Sequence, residues 1–134
     1  MEITSYDVKK VNVSVNGSII TGFAADSLVN ISKNEDAVTT AVGCQGDVVY
    51  EENANESGTI QLTLVGTSSS ISKFRSWAAS RKEVTVMVSD SNDYDSIKVS
   101  AQRCRVLKVP DVARGKNAGS VQVNIFVPNL QIRE

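Results

Sequence analysis

From Val11 to Val15, valine alternates with asparagine and serine, and the same two-residue beat returns five more times along the chain. Val29 and Ile31 carry it in Ser27–Lys33, and Ile60, Leu62 and Leu64 carry it in Thr59–Val65, the cleanest case. Glu83–Ser89, Ile97–Val109 and Val121–Val127 show it too. Successive strand side chains point to opposite faces, so this spacing predicts strands with one buried face. The first strand is expected over Val8–Val15. Asn16-Gly17 follows it, a pair that accepts the positive φ angles of a type I′ turn, and "SIITGF" then returns as the hairpin partner. In Ile97–Val109 the inward set runs Ile97, Val99, Ala101 and then jumps to Cys104 and Val106. A bulge near Gln102–Arg103 accounts for the slip.

The segment Ser69–Lys82 breaks the beat. Ile71, Phe74, Trp77 and Ala78 fall on one side of a helix of about three turns. Ser69 or Ser70 is expected to cap it by accepting a bond from a free backbone N–H. Lys73, Arg75 and Arg81 lie off the apolar side, and Arg81 and Lys82 suit the negative end of the helix dipole. One long polar stretch, Ser32–Gly58 ("SKNEDAVTTAVGCQGDVVYEENANESG"), joins two strands. Within it Asp47–Glu51 fits a short strand or the returning limb of a hairpin. Pro128 stops the last strand, and "NLQIRE" is expected to trail off. The class is mainly β: a β-sandwich or barrel of about eight strands with one flanking α-helix, in one domain over residues 1–134.

Composition narrows the function. Of 134 residues 41% are hydrophobic and 22% charged, which is globular rather than disordered. The net charge of −1 gives no footprint for duplex nucleic acid. "MEITSYDVKK" has no apolar core of signal-peptide length, and no apolar run approaches a membrane span, so no membrane anchor is expected. On that basis the Asn-x-Ser triplets at Asn12, Asn16, Asn30 and Asn55 are chance products of a Ser- and Asn-rich strand protein. Cys44 and Cys104 are expected as free thiols, one on the loop and one buried in a strand.

Histidine is absent, which excludes Ser-His-Asp and Cys-His catalysis and an ordinary zinc site. The acidic residues gather in turns (Glu35-Asp36, Glu51-Glu52, Asp90–Asp95), where solvation explains them. "ARGKNAG", Ala113–Gly119, lacks the spacing of a phosphate-binding loop. No enzyme and no cofactor is expected. A monomeric β-sandwich that binds a glycan or peptide, with Tyr50, Tyr94 and Trp77 as stacking groups, is the main rival. The outward strand positions carry an unusual feature. Thr59, Gln61 and Thr63, Gln122 and Asn124, Asn12 and Ser14, and Asn30 and Ser32 are all uncharged. Such faces suit a subunit contact or a channel wall, and equally a Ser/Thr-rich outer face favoured by β-propensity.

The order of these pieces resembles the inner tail-tube proteins of contractile-tailed bacteriophages and of tail-like bacteriocins. The resemblance rests on "VNVSVNGSIITGF", on the strand entering "KNEDAVTTAVGCQGDVV", on "SGTIQLTLVGTSSSISKF" (Ser57–Phe74), and on "VLKVPDVARGKNAGSVQVNIFVPNL". It covers most of the chain. It implies hexameric rings in which neighbouring sheets join, stacked into a hollow tube within a sheath. The tube passes DNA without specific binding, or punctures an envelope. A tube of a related secretion system is the alternative machine. Implied partners are other copies of the chain, a tail sheath protein, and baseplate and tail terminator proteins. The implied location is a virion tail or tail-like particle assembled in the bacterial cytoplasm. Thr59, Gln61, Thr63, Gln122 and Asn124 become candidates for the lumen. Lys73, Arg75 and Arg81 become candidates for the sheath-facing side. The Ser32–Gly58 loop becomes an arm that reaches another subunit or ring through Glu35, Asp36, Val38, Val42, Asp47, Val48, Tyr50 and Glu51. Deleting Ala37–Asp47 is expected to leave a folded protein that no longer stacks. Undiminished tube growth by that variant, followed by electron microscopy, contradicts the assignment.

Overall fold

Asp7 decides where the first strand begins. Its carboxylate accepts a bond from the Lys9 amide (2.9 Å) and caps a 3-10 turn over Val8–Lys10, so β1 spans Val11–Val15 and starts three residues later than the sequence suggested. The computed structural model describes residues 3–25, 28–92, 96–112, 115–117 and 119–133. Asn16 (φ 53°) and Gly17 (φ 82°) both sit in the left-handed region, as a type I′ turn requires, and Val15 faces Ser18 across the hairpin. The returning strand β2 is only Ser18–Ile19, after which Ile20 dives into the core.

The remaining elements are β3 (Val29–Lys33), β4 (Val38–Val42), β5 (Val48–Glu52), β6 (Gly58–Val65), α1 (Ser70–Ser80), β7 (Glu83–Asp90), β8 (Lys98–Val106), β9 (Ser120–Val127) and β10 (Ile132–Arg133). The fold is mainly β with one α-helix among the described residues. Its main sheet has eight strands, in the order β2-β1-β7-β8-β9-β6-β3 with β10 also on β8, and every pairing is antiparallel. The sheet does not close into a barrel: β2 and β3 stand at its two ends.

β8 joins the halves of the sheet. One edge pairs with β7. The other pairs with β9 only at Arg105 and Val106, and with β10 only at Lys98 and Val99. In between, Val86 faces Ala101 and Val84 faces Cys104, so Gln102 and Arg103 together oppose Thr85. This is the expected bulge. Arg103 adopts φ 60°, and the extra residue returns Cys104 and Val106 to the interior. Both halves then turn their apolar faces to one core. Val13, Val86 and Val88 come from one half and Ile60, Leu62 and Ile125 from the other.

α1 adds Ile71 and Phe74 to that core, with Trp77 edge-on to Phe74 at 5.4 Å. Its capping differs from expectation. Ser69 holds the N-cap position but makes no side-chain cap bond. Instead the Ser68 hydroxyl accepts from the Ser70 amide (3.2 Å) and donates to the Thr21 carbonyl (2.7 Å), while the Ser70 hydroxyl accepts from the Thr21 amide (3.2 Å). The serines tie the helix start to the segment after β2, and that tertiary tie wins over a local cap. Arg81 ends the helix in a left-handed conformation (φ 57°), with its amide bonded to Ala78.

The C-terminal residues correct the sequence reading. Leu130 is fully buried, its amide donates to the Glu56 carbonyl (3.0 Å), and β10 pairs with β8. Residues 129–133 therefore dock on the sheet, beside β8 and Gly58, instead of trailing off. Of the acidic run Asp90–Asp95, residues Asp93, Tyr94 and Asp95 lie outside the described residues, as do Ser27 and Ala113, Arg114 and Ala118 of the "ARGKNAG" loop.

Gly58 begins β6 directly beneath Leu130. A Cβ there would lie 2.8 Å from the Leu130 Cβ and 2.8 Å from the Ser32 carbonyl oxygen. Overpacking of this kind costs about 1–3 kcal/mol. Gly58→Ala is expected to destabilise the fold by about 2 kcal/mol, read as a lower urea midpoint with unchanged slope.

Candidate assembly surfaces

The Ser32–Gly58 segment is not an irregular loop. β4 and β5 pair over their full lengths, Val38 with Glu52 through Val42 with Val48, as a two-stranded sheet separate from the main one. Asp47–Glu51 is thus the returning limb of a hairpin. The tip is closed by the Gly43 amide on the Asp47 carbonyl (2.8 Å) and the Gly46 amide on the Gly43 carbonyl (3.0 Å), with Gly46 at φ 89°. Cys44 and Asp47 sit in this tip.

Asparagines build the base of the arm. The Asn53 amide nitrogen Nδ2 donates to Glu35 Oε2 (3.3 Å) and to the Asp36 carbonyl (3.0 Å), and Asn55 Nδ2 also donates to Glu35 Oε2 (2.5 Å). Asn34 Nδ2 donates to the Ser57 hydroxyl (3.0 Å) and its Oδ1 accepts from Thr59 Oγ1 (2.8 Å). Glu35 and Asp36 therefore hold the root of the arm, while Val38, Val42, Val48, Tyr50 and Glu51 lie on the ribbon.

Every residue of β4 and β5 is exposed. Directly opposed residues share a face in an antiparallel pair. One face accordingly carries Val38, Val42, Val48 and Tyr50 together with Thr40 and Glu52; the other carries Thr39, Ala41, Val49 and Glu51. Val42 is 69% exposed and Tyr50 70%. A lone two-stranded hairpin is marginally stable in water, and this ribbon exposes apolar side chains clear of the core.

The five lumen candidates do come together. Gln61 lies between Asn30 and Asn124 in the register, and Thr63 faces Gln122, all on the outer side of β3, β6 and β9. The Gln61 side-chain amide donates to Gln122 Oε1 (3.2 Å). Thr59 stands between Ser32 and Phe126. Phe126, half-buried, belongs to this face and was not among the candidates, although the two-residue beat from Gln122 reaches it. Asn12 and Ser14 lie elsewhere, on the outer side of β1 beside Ser89 and Met87.

The three helix cations do not form one equivalent surface. Lys73 and Arg81 are exposed, whereas Arg75 is half-buried and its Nε is screened from solvent with no hydrogen-bond partner among the described residues. Of the aromatic trio of a binding module, the two described members lie apart. Tyr50 is on the arm, Trp77 is half-buried against Phe74, and Tyr94 lies outside the described residues. Among the described residues no group of three acidic or cysteine side chains is placed to hold a metal ion.

No protein-family model matches the sequence, and no curated protein matches it. Solved structures do match in fold. A chain from the cryo-EM structure of an extracellular contractile injection system, the PVC sheath/tube terminator in the extended state, superposes with a TM-score of 0.63 at 13% identity over 97% of both chains. One from the anti-feeding prophage tube-terminating cap gives 0.59 at 10% identity, over 99% of this chain and 95% of that one. One from the PVC sheath-tube complex in the extended state gives 0.60 at 14% identity, over 96% and 91%. The chain thus shares, over nearly its whole length, a fold found in contractile injection systems.

The two thiols give a direct check. Cys44 is exposed and Cys104 buried, and burial pushes the Cys104 thiol from its ordinary 9.0 up to about 11. A thiol reagent at neutral pH is expected to label Cys44 alone until the chain unfolds. An acid whose folded value is raised adds stability below its unfolded value and loses it as pH rises through the folded one. The urea midpoint should therefore fall between about pH 9 and 11, and fall less in Cys104→Ala.

Proposed function

We propose that this protein is a structural subunit of a contractile tail-like particle. Its copies form hexameric rings, and the rings stack into the hollow inner tube through which DNA or an envelope-puncturing assembly passes. The observation that carries the reading is the β4–β5 arm, an apolar ribbon without a core, on a fold shared with injection-system components. A sheet with two free ends supports it further: each end presents unpaired backbone groups, a liability alone that neighbours in a ring remove.

Magnitudes fit reversible assembly. Val38, Val42, Val48 and Tyr50 already lose part of their exposure within the hairpin. Completing their burial is worth about 1 kcal/mol each, roughly 4 kcal/mol per arm. That is too little to hold two copies together, and six arms engaged at once multiply it. The subunit therefore stays soluble until a ring or a template presents several sites together.

The uncharged face of Thr59, Gln61, Thr63, Gln122 and Asn124, with Asn30 beside Gln61, is assigned to the lumen, because a wall without cations does not hold passing phosphates. Lys73 and Arg81 are assigned to the outside, toward the sheath protein. Baseplate and terminator proteins bound the tube at its ends. Among the described residues no helix is long and apolar enough to cross a membrane.

The Asn53 amide bonds the Ala37 carbonyl at 2.8 Å, so the ends of the arm already meet. Replacing residues 38–52 with a two-glycine linker is expected to keep the urea midpoint within experimental error. Concentrated wild-type protein, or protein supplied to a growing tail-like particle, should give rings or hollow rods in negative stain, and the armless variant should give neither. Wild-type chains that stay monomeric under both conditions would refute the proposal.

A further inference from the structure

Charge divides the molecule between arm and body. Residues 32–58 hold six of the fifteen acidic side chains (Glu35, Asp36, Asp47, Glu51, Glu52, Glu56) and, in Lys33, one of the fourteen basic ones. The segment carries −5 and the rest of the chain +4, a separation that the net −1 hides. A partner for the arm must therefore cover an apolar stripe and also accept negative charge.

The outer side of β1, β7, β8 and β10 meets both demands. The register sets Ile19, Ser14, Met87 and Ser100 in one row across the strands. Two residues along, Asn12, Ser89, Lys98 and Arg133 form the next row. Ile19 is 69% exposed and Met87 54%, an apolar step on an outer face. Lys98 and Arg133 stand directly opposite each other, an arrangement of like charges that destabilises a sheet unless an anion lies between them. Among the described residues neither has a carboxylate within ion-pair distance. The surface is recessed. A trough of about 360 Å³ runs along Met87 and Ile19, a cleft of about 750 Å³ lies between Lys98, Gln102, Asn129 and Arg133, and the two share Lys98 and Ser100.

The spacing matches the arm. Tyr50 and Glu52 are two residues apart on one face of β5, about 7 Å. The Met87 row and the Lys98 row are separated by the same two-residue step. We propose that the β4–β5 arm of one copy docks in this trough on a second copy, with Tyr50 on the Met87–Ile19 step and Glu52 between Lys98 and Arg133. This rests on the functional reading above and names the receptor that it leaves open. Glu51 points away from the trough and adds to the attraction at longer range. Since the arm and its receptor are different surfaces of the same chain, the contact is head-to-tail, which closes a ring or propagates along a stack according to its rotation.

Reversing charge on either side tests it. Glu51→Lys/Glu52→Lys makes the arm basic, and Lys98→Glu/Arg133→Glu makes the trough acidic. All four positions are exposed, and urea midpoints check that both variants fold. Each variant alone is expected to lose the rings or rods that wild type forms, and an equimolar mixture is expected to recover them, because each arm then meets a trough of opposite charge. Tyr50→Ser should also lose assembly, with no rescue by the acidic-trough variant. If Lys98→Glu/Arg133→Glu assembles as wild type does, or if the mixture stays dissociated, the docking is overturned while wild-type assembly leaves the functional reading standing. If wild type itself never assembles, both fall.

Discussion

An antiparallel sheet with one apolar face must cover that face with itself, and the bulge in β8 is what lets it. Up to Ala101 the strand pairs regularly with β7; Gln102 and Arg103 then share one partner and the inward phase resumes at Cys104. Without that extra residue Cys104 and Val106 would point to solvent and the halves of the sheet would not face each other. The bulge also interrupts pairing on the far edge of β8, which β9 and β10 take up separately. The inward phase of Cys104 and Val106, and so their place in the core, follows from this one local irregularity.

The core is built by the main sheet, α1 and the flanking residues Ile20 and Leu130, and the arm contributes nothing to it. Asparagine side chains hydrogen-bond across its root, and the ribbon beyond them carries apolar residues on one face, with Glu51 and Glu52 at the root end. The rest of the chain carries the opposite charge, which is the basis for the proposed contact between copies. Under the proposed function, folding and assembly rest on separate sets of residues.

Much of this was legible in the sequence. The two-residue beat placed β6, β7 and β9 nearly to the residue, Asn16-Gly17 gave the first hairpin, and the phase slip located the bulge. The lumen candidates, chosen from two separate strands for lack of charge, lie side by side because β6 and β9 pair. Other features were hidden because they depend on contacts distant in sequence. Leu130 and Ile132 look like a tail until Gly58 and β8 provide places for them. Ser68 and Ser70 bond Thr21 rather than cap the helix, and no local pattern announces that. The Lys98–Arg133 pair exists only because β10 returns to β8, so it could not be read from spacing alone.

The central claim is that the apolar face of the arm is covered by another copy of the chain. Hydrogen–deuterium exchange, compared between dilute monomer and assembled material, tests it most directly. The account predicts that amides in Val38–Glu52 and in the Lys98–Ser100 and Ile132–Arg133 segments gain protection on assembly, while core amides such as those of Ile60 and Ile125 stay as slow as before. Assembled material in which the arm exchanges as fast as in the monomer would contradict it.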